Sequence, residues 1–496
     1  LSLEKIFTTL FIMVAGMRDR VLDILANEGV LLEPSAAELV LARSDPVDFV
    51  RSALASMPQQ PLVLTVDDLR PYADAPVVRI VPKALEEVRN GPPAPLPRGD
   101  GDFCVLRDIT GNSTCEGNII DFARYFNDRF KKIKKILSTR RELVGCLPVP
   151  KATKFDREVR MIAMVNEVRT TKNGHKLLEV EDDEGRCPVL ILKDSPLINE
   201  SIVNDEVIGI VGKTSTKGDL VVLNELVRPD LPLRRTMQPS DSWTSVAFMS
   251  DVHVGSNTFL HKPWDRMVHW LKTEGKNEVQ YLVVPGDVVD GIGVFPGQED
   301  ELEIDDIFAQ YESLVDRLKE VPDGIRVIVQ PGNHDAVRPA EPQPTFPKDI
   351  AKLFDSSISL IGNPCYLEIE GRKILSYHGR SLDDWIGSVQ GLSYNNPMEA
   401  MKEMLKRRHM APIYGGRTPL APEKEDFLVI DEVPDIFITG HVHGAGIGEY
   451  RGVRLICAST WQDQTPFQKM HNFNPDPAKL PIVHLGTGET RMLDFN

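Results

Sequence analysis

Cysteine is scarce and scattered: Cys104, Cys115, Cys146, Cys187, Cys365 and Cys457 form no C-x-x-C pair. That spacing argues against a zinc knuckle or a disulfide framework and fits free thiols in a reducing, cytoplasmic compartment. No stretch reaches the ~20 apolar residues needed to span a bilayer, so no membrane partner is expected. The one N-terminal apolar run, Leu10 to Gly16 after Lys5, is too short and lacks the basic flank of a signal peptide. Leu1 stands where an initiator Met is expected, with Met13 and Met17 following, so the residues before Met17 read as upstream of an uncertain start. Positive charge is also in short supply. With 57 Lys and Arg against 73 Asp and Glu, the formal charge is -16. A chain of that sign does not hold nucleic acid through its overall field, and any such contact must be local. Internal repeats and low-complexity tracts are absent.

What is present is ordinary globular composition, 42% hydrophobic and 26% charged over 496 residues, long enough for two to four domains. Residues 1–70 read as a small N-terminal helical domain, with Val21, Leu22 and Leu25 on one face and Asp45-Pro46 opening a further helix. Residues 71–116 read as a Pro/Gly-rich linker, because the stretch 91–102 can hold neither helix nor sheet. A helical segment, 117–145, follows, with a helix over 119–137 whose Lys131, Lys132, Lys134 and Lys135 read first as a solvated face and, alternatively, as phosphate contacts. From Glu158 the period falls to two: Val159, Met161, Ala163 and Val165 alternate, and Asn173-Gly174 is a hairpin turn. Five short strands in this region predict a closed barrel of the OB type over 146–236. Its strands lack aromatics for base stacking, so protein docking is at least as good a reading as single-strand binding.

Residues 237–496 read as an α/β domain in which five apolar strands each end in metal-type ligands. Ser250-Asp251-Val252-His253 follows the first and Gly286-Asp287-Val288-Val289-Asp290 the second. Gly332-Asn333-His334-Asp335, Tyr377-His378-Gly379 and Gly440-His441-Val442-His443 follow the others. The carboxyl ends of strands in layered α/β folds form one rim, which brings such residues together. One Asp-x-His is weak evidence. Five clusters in order, each directly after an apolar strand and most flanked by glycine, are not.

At these residues the sequence resembles the calcineurin-like metallophosphoesterases, whose signature is D-x-H, G-D-x-x-D, G-N-H-D/E, His and G-H-x-H. The fold this implies is an α/β phosphoesterase sandwich flanked by helices, preceded here by the barrel and the helical domain. The resemblance implies that Asp251, His253, Asp287 and His443 hold one metal, and that Asp287, Asn333, His378 and His441 hold the other. A carboxylate shared at Asp287 sets two divalent ions about 3.5 to 4 Å apart, a spacing that clamps the attacking and leaving oxygens of an in-line displacement. The mixed imidazole and carboxylate donors suit Mn, Fe or Zn better than Mg alone, and the resemblance favours Mn2+. His334, beside a ligand position, is the expected catalytic residue, protonating the departing 3′ oxygen, with an orienting role as the alternative. Asp335 reads as orienting.

Longer segments narrow the substrate. Gly293–Glu299, Glu301–Ile307, Ala340–Pro344, Lys406–Gly415 and Ser459–Thr465 resemble the small subunit of the archaeal D-family DNA polymerase. The resemblance covers residues 117–496. It implies a 3′-to-5′ DNA exonuclease, nucleoid-associated, that proofreads alongside a large catalytic polymerase subunit. Single-stranded 3′ ends would be its substrate, and the sliding clamp would be reached through the complex. The alternative is a non-catalytic scaffold holding the large subunit, and a phosphatase or nucleotidase is a third reading. Glu299 to Asp306 reads as a solvated helix start rather than a metal loop. Lys406-Arg407-Arg408 reads as a DNA-backbone, surface or partner contact, and Trp461, Phe467 and Phe473 lean toward an interface patch.

Overall fold

The computed structural model describes residues 103–154, 158–215, 220–233, 239–240, 242–470 and 473–496, with 31–32, 40, 49–50, 53–54, 57, 63–64, 69 and 237 before and between them. The chain divides into two compact units, Leu1–Glu86 and Glu87–Asn496. In the first, β1 (Leu31–Leu32) pairs in parallel with β2 (Val63–Leu64). A wholly helical reading did not anticipate this pair, because two residues are too few to display a period. The face at Val21, Leu22 and Leu25 and the Asp45-Pro46 helix start lie outside the described residues.

The second unit is mixed α/β. Its first strand is β3 (Phe103–Arg107). A barrel follows, made of β4 (Glu158–Thr170), β5 (Lys176–Glu181), β6 (Arg186–Ile191), β7 (Val207–Thr214) and β8 (Val221–Val227), closed in the order β4-β5-β6-β8-β7. Val159, Met161, Ala163 and Val165 point into its core with Leu178, Val189 and Ile210, the inward set of the period-two pattern. Closure leaves no free edge.

The rest is two packed six-stranded sheets. The first contains β9 (Ser245–Phe248), β10 (Val279–Pro285), β11 (Arg326–Gln330), β12 (Ser359–Leu360), β18 (Lys479–His484) and β19 (Thr490–Asp494), in the order β12-β11-β10-β9-β18-β19. The second contains β13 (Cys365–Ile369), β14 (Arg372–Ser376), β15 (Ile436–Thr439), β16 (Ala445–Tyr450) and β17 (Val453–Ala458), in the order β16-β17-β15-β14-β13-β3. Strands buried on both faces are apolar nearly throughout, as β15 (Ile-Phe-Ile-Thr) illustrates. Val246, Phe248, Val283 and Ile328 meet Leu367, Ile374, Ile436 and Ile456 between the sheets. The helices His261–Thr273 and Ile307–Leu318 cover the outer face of the first sheet. Leu382–Ser388 and Pro397–Arg407 cover the second.

Several expectations change here. The end of the 71–116 linker is structured: β3 completes the second sheet by pairing antiparallel with β13. Asp108 then accepts the Gly362 amide at 2.7 Å. Composition concealed this because an edge strand of five residues needs only one partner. Arg407 and Arg408 are buried, not surface contacts. Arg407 Nε lies 2.8 Å from Glu206 of the barrel, and Arg408 donates to the Asp431 carbonyl. Trp461 is core, its ring 5.7 Å from that of Trp264. Phe473 packs on Tyr394, and the Phe467 side chain lies outside the described residues. Asp306 caps the helix that begins at Ile307, so the acidic run does precede a helix.

The helix Ile119–Leu137 starts at an Asn118/Asp121 capping box and presses its apolar stripe between barrel and sandwich. Lys132 and Lys134 form ion pairs with Asp128, Glu425 and Asp183, while Lys131 and Lys135 face solvent. Arg129 of the same helix is fully buried, with Nε 2.8 Å from Asp426 and a second donor 2.6 Å from the Pro412 carbonyl. His409 Nε2 lies 2.8 Å from the same carboxylate.

Candidate metal centre

β9, β10 and β11 run parallel as neighbours, and so do β14 and β15. The loops after them therefore open on one edge of the sandwich. Asp251 and His253 follow β9, Asp287 follows β10, Asn333 and His334 follow β11, His378 follows β14, and His441 and His443 follow β15. Backbone bonds tie these loops to each other: Asp251 N–H donates to the Gly286 carbonyl and His253 N–H to the Asp287 carbonyl, both at 3.1 Å. Asp251, His253, Asp287, His441 and His443 all adopt positive φ. Non-glycine residues in that region are uncommon and strained, and they concentrate at functional sites. Gly332 and Gly440 leave the needed room. A Cβ on the first would strike Asp287 Oδ1, and on the second Ser250 Oγ and Asp251 Oδ2.

The side chains converge in two groups whose donor atoms lie within 4.8 Å of one another. Asp251, His253 and His443 form one, and Asp287, His378 and His441 the other. Asn333 Oδ1 joins the second at 3.1 Å from His378 Nε2. Each imidazole is held at its far nitrogen, which decides which nitrogen faces inward. His378 Nδ1 donates to the Pro285 carbonyl at 2.9 Å, and His253 Nδ1 is 2.9 Å from Asp290. His441 Nε2 lies 3.3 Å from Asp383, a carboxylate that Tyr394 also contacts. Gln468 Nε2 lies 2.9 Å from His443 Nδ1.

His334 stands over Asp287 rather than in either group, its backbone N–H donating to Asp287 Oδ1 at 2.8 Å. Nδ1 of its half-buried ring is 2.7 Å from the Asp290 carbonyl, which leaves Nε2 free. Asp335 holds this loop by accepting the Gly332 amide and the Tyr311 hydroxyl. Burial, then the charge of Asp287, pushes the Asp335 carboxyl up to about 7.

Whether these residues suit divalent cations can be judged from the donors themselves. The Nε2 atoms of His253 and His443 approach to 3.1 Å, and both lie near Asp251. Two ring nitrogens at that distance need a proton or a cation between them. Burial alone would raise Asp287, but His378, His334 and His253 together outweigh it and hold the carboxyl well below the usual range. Burial lowers His378, and Asp287 more than reverses this, carrying it to about 10. A buried carboxylate that draws protons onto its neighbours is a pocket suited to positive charge.

The sequence between residues 246 and 444, which spans all the candidate ligands, matches the family model for the B subunit of DNA polymerases alpha and epsilon. Over 400 residues the chain is 46% identical to the DNA polymerase II small subunit of Archaeoglobus fulgidus, covering 79% of this chain and 80% of that one. Identity to the small subunit from Methanothermobacter thermautotrophicus is 39% over 487 residues, 95% and 98% of the two chains. The Thermoplasma acidophilum protein is 42% identical over 405 residues, 81% and 82% of the two chains. The chain belongs to the archaeal DNA polymerase II small-subunit family. In this small subunit, sequence reading gathered the candidate ligands but passed over the residues that orient them. Asp290 was visible inside its own motif. Asp383 has only its place five residues after His378, and Gln468 lies outside every cluster without a metal-type side chain to mark it.

Among the described residues no helix is long and apolar enough to cross a membrane, and the six cysteines are free.

Proposed function

We propose that this chain is a metal-dependent 3′-to-5′ DNA exonuclease, the small, proofreading partner of the large catalytic subunit in a D-family DNA polymerase. One observation carries the reading: two groups of largely buried donors meet beside Asp287, with the half-buried His334 over them. Asp251, His253, Asp287 and His443 would hold one divalent ion, and Asp287, Asn333, His378 and His441 the other, with Mn2+ the first choice and Fe, Zn or Mg the alternatives. When bound, such a pair polarises the phosphoryl group and activates the attacking water.

The chain's own residues do the rest. His334 donates Nδ1–H to the Asp290 carbonyl, so Nε2 carries the lone pair of the neutral ring, and it is as the imidazolium that the ring delivers a proton from Nε2 to the departing 3′ oxygen. Asp290, Asp383 and the Pro285 carbonyl fix imidazoles before substrate arrives, and Asp335 fixes the loop that carries His334. Preset donors reduce the reorganisation needed during reaction.

The test is release of nucleotides from the 3′ end of labelled single-stranded DNA by the purified chain with Mn2+, alone and with the large subunit. Hydrolysis that depends on Mn2+ is expected. Two bound ions with no hydrolysis in either preparation would favour the scaffold reading instead.

A further inference from the structure

We propose that Gln298 and Gln462 are positioning residues for one of the two ions, clamping the Asp290 carboxylate so that His253 presents Nε2 beside Asp251 and His443. The inference rests on the metal-centre reading above and goes beyond it, because neither glutamine belongs to a ligand cluster.

Asp290 is 3% exposed, and three N–H donors surround its carboxylate. Oδ1 lies 2.9 Å from His253 Nδ1 and 3.0 Å from Gln462 Nε2, and Oδ2 lies 3.0 Å from Gln298 Nε2. Gln298 Nε2 also donates to the Asp290 carbonyl at 2.8 Å. With its oxygens so committed, Asp290 is an orienting acceptor and not a ligand, although it lies close enough to His253 and His334 to form a third candidate group with them. An acceptor at Nδ1 puts the His253 proton there and leaves the Nε2 lone pair facing inward.

The chemistry of the clamp is specific. Amide N–H groups neutralise a carboxylate's hydrogen-bonding demand without adding charge. A Lys or Arg in the same place would weaken the hold of Asp290 on His253 and set a positive charge near the ion's position. Both glutamines are buried and fixed at a second point. Gln298 Oε1 accepts the Val294 amide at 2.8 Å, and Gln462 Nε2 donates to Ser256 Oγ at 2.8 Å. They arrive on separate segments, one following Asp290 and the other following β17. Neither segment supplies a ligand, yet both bear on His253. His378 and His441 are oriented by other residues. The clamp therefore acts on one ion and not on both.

The full chain, stripped of metal, is titrated with Mn2+ by calorimetry as wild type, Gln298→Met and Gln462→Met, substitutions that keep bulk and remove the donor. One class of site in each variant should weaken about 10- to 100-fold while the other keeps its affinity. Loss of 3′-end hydrolysis should be deeper at limiting than at saturating Mn2+. Melting of the metal-free variants is followed alongside. Two sites of unchanged affinity in both variants overturn the inference alone, as does equal weakening of both sites with a lowered melting temperature. A wild-type chain that takes up no ion overturns the metal-centre reading and the inference with it.

Discussion

Nε2 of His253 and Nε2 of His443 face each other at 3.1 Å, across the loops after β9 and β15. Gln468 Nε2 donates to His443 Nδ1, so the neutral His443 ring carries its proton on Nε2, facing His253; an ion would displace that proton, and ion binding should be linked to folding. Mn2+ at a hundredfold excess over its dissociation constant is expected to stabilise the chain by about 2.7 kcal/mol. A melting temperature that rises with added Mn2+ and falls with chelator checks this, and His253→Ala should diminish the rise.

His334→Ala should separate binding from turnover. The hydrogen bond from His334 to Asp287 comes from the backbone amide and not from the ring, so both ions should still bind. Hydrolysis of labelled single-stranded DNA should fall about 10²- to 10⁴-fold, the range for loss of a positioned proton donor. A normal rate would remove the role assigned to His334.

Gly440→Ala should destroy the centre while leaving its donors in the sequence. The new methyl group meets Ser250 Oγ and Asp251 Oδ2, and Asp251 also accepts the His441 amide at 2.8 Å. Loss of ion uptake in calorimetry is expected, with the barrel still folded by circular dichroism.

Asp426→Asn tests the seam between helix, barrel and sandwich. The carboxylate lies within 2.8 Å of both Arg129 and His409, with neither partner reachable by solvent. Removing one charge of a buried pair strands the other, at a cost of about 3–5 kcal/mol. A lowered urea midpoint measures it.

The same seam sets an acid response. Burial, then the charge of Arg129, lowers His409 from 6.5 to about 4. Between these values the unfolded chain binds the proton and the folded chain does not, so stability falls as pH drops through that window. Burial alone would raise Asp426, but His409 and Arg129 hold it far below its ordinary value. Its contribution is therefore present above about pH 4 and lost as the pH falls further. Urea unfolding of wild type and His409→Gln at pH 7 and pH 4.5 should show a smaller drop in the variant.

The clusters at strand ends were legible because two signals coincided there, an apolar run and then a ligand triplet. Asp251, His253, Asp287, Asn333, His378, His441 and His443 could be gathered without coordinates for that reason, and the barrel followed from a period of two. Arg407 and Arg408 were not legible as interior residues. Arg407 has one partner on its own helix, Glu403, but Glu206, Ser201, Ile430 and Asp431 come from other segments, and those partners, which the local sequence does not reveal, decide that the arginines are interior. Gln298 and Gln462 were hidden for a related reason. A glutamine looks the same whether it faces water or clamps a carboxylate.

β3 lies ahead of the barrel, yet its partner β13 comes after it, and Asp108 meets Gly362 across 254 residues of chain. During synthesis at about 5–20 residues per second, that strand leaves the ribosome on the order of tens of seconds before its partner exists. The barrel, complete by Val227, has time to close first. The waiting strand then has to be kept from pairing elsewhere, which makes the nascent chain, rather than the finished protein, the state most exposed to aggregation and most in need of a chaperone.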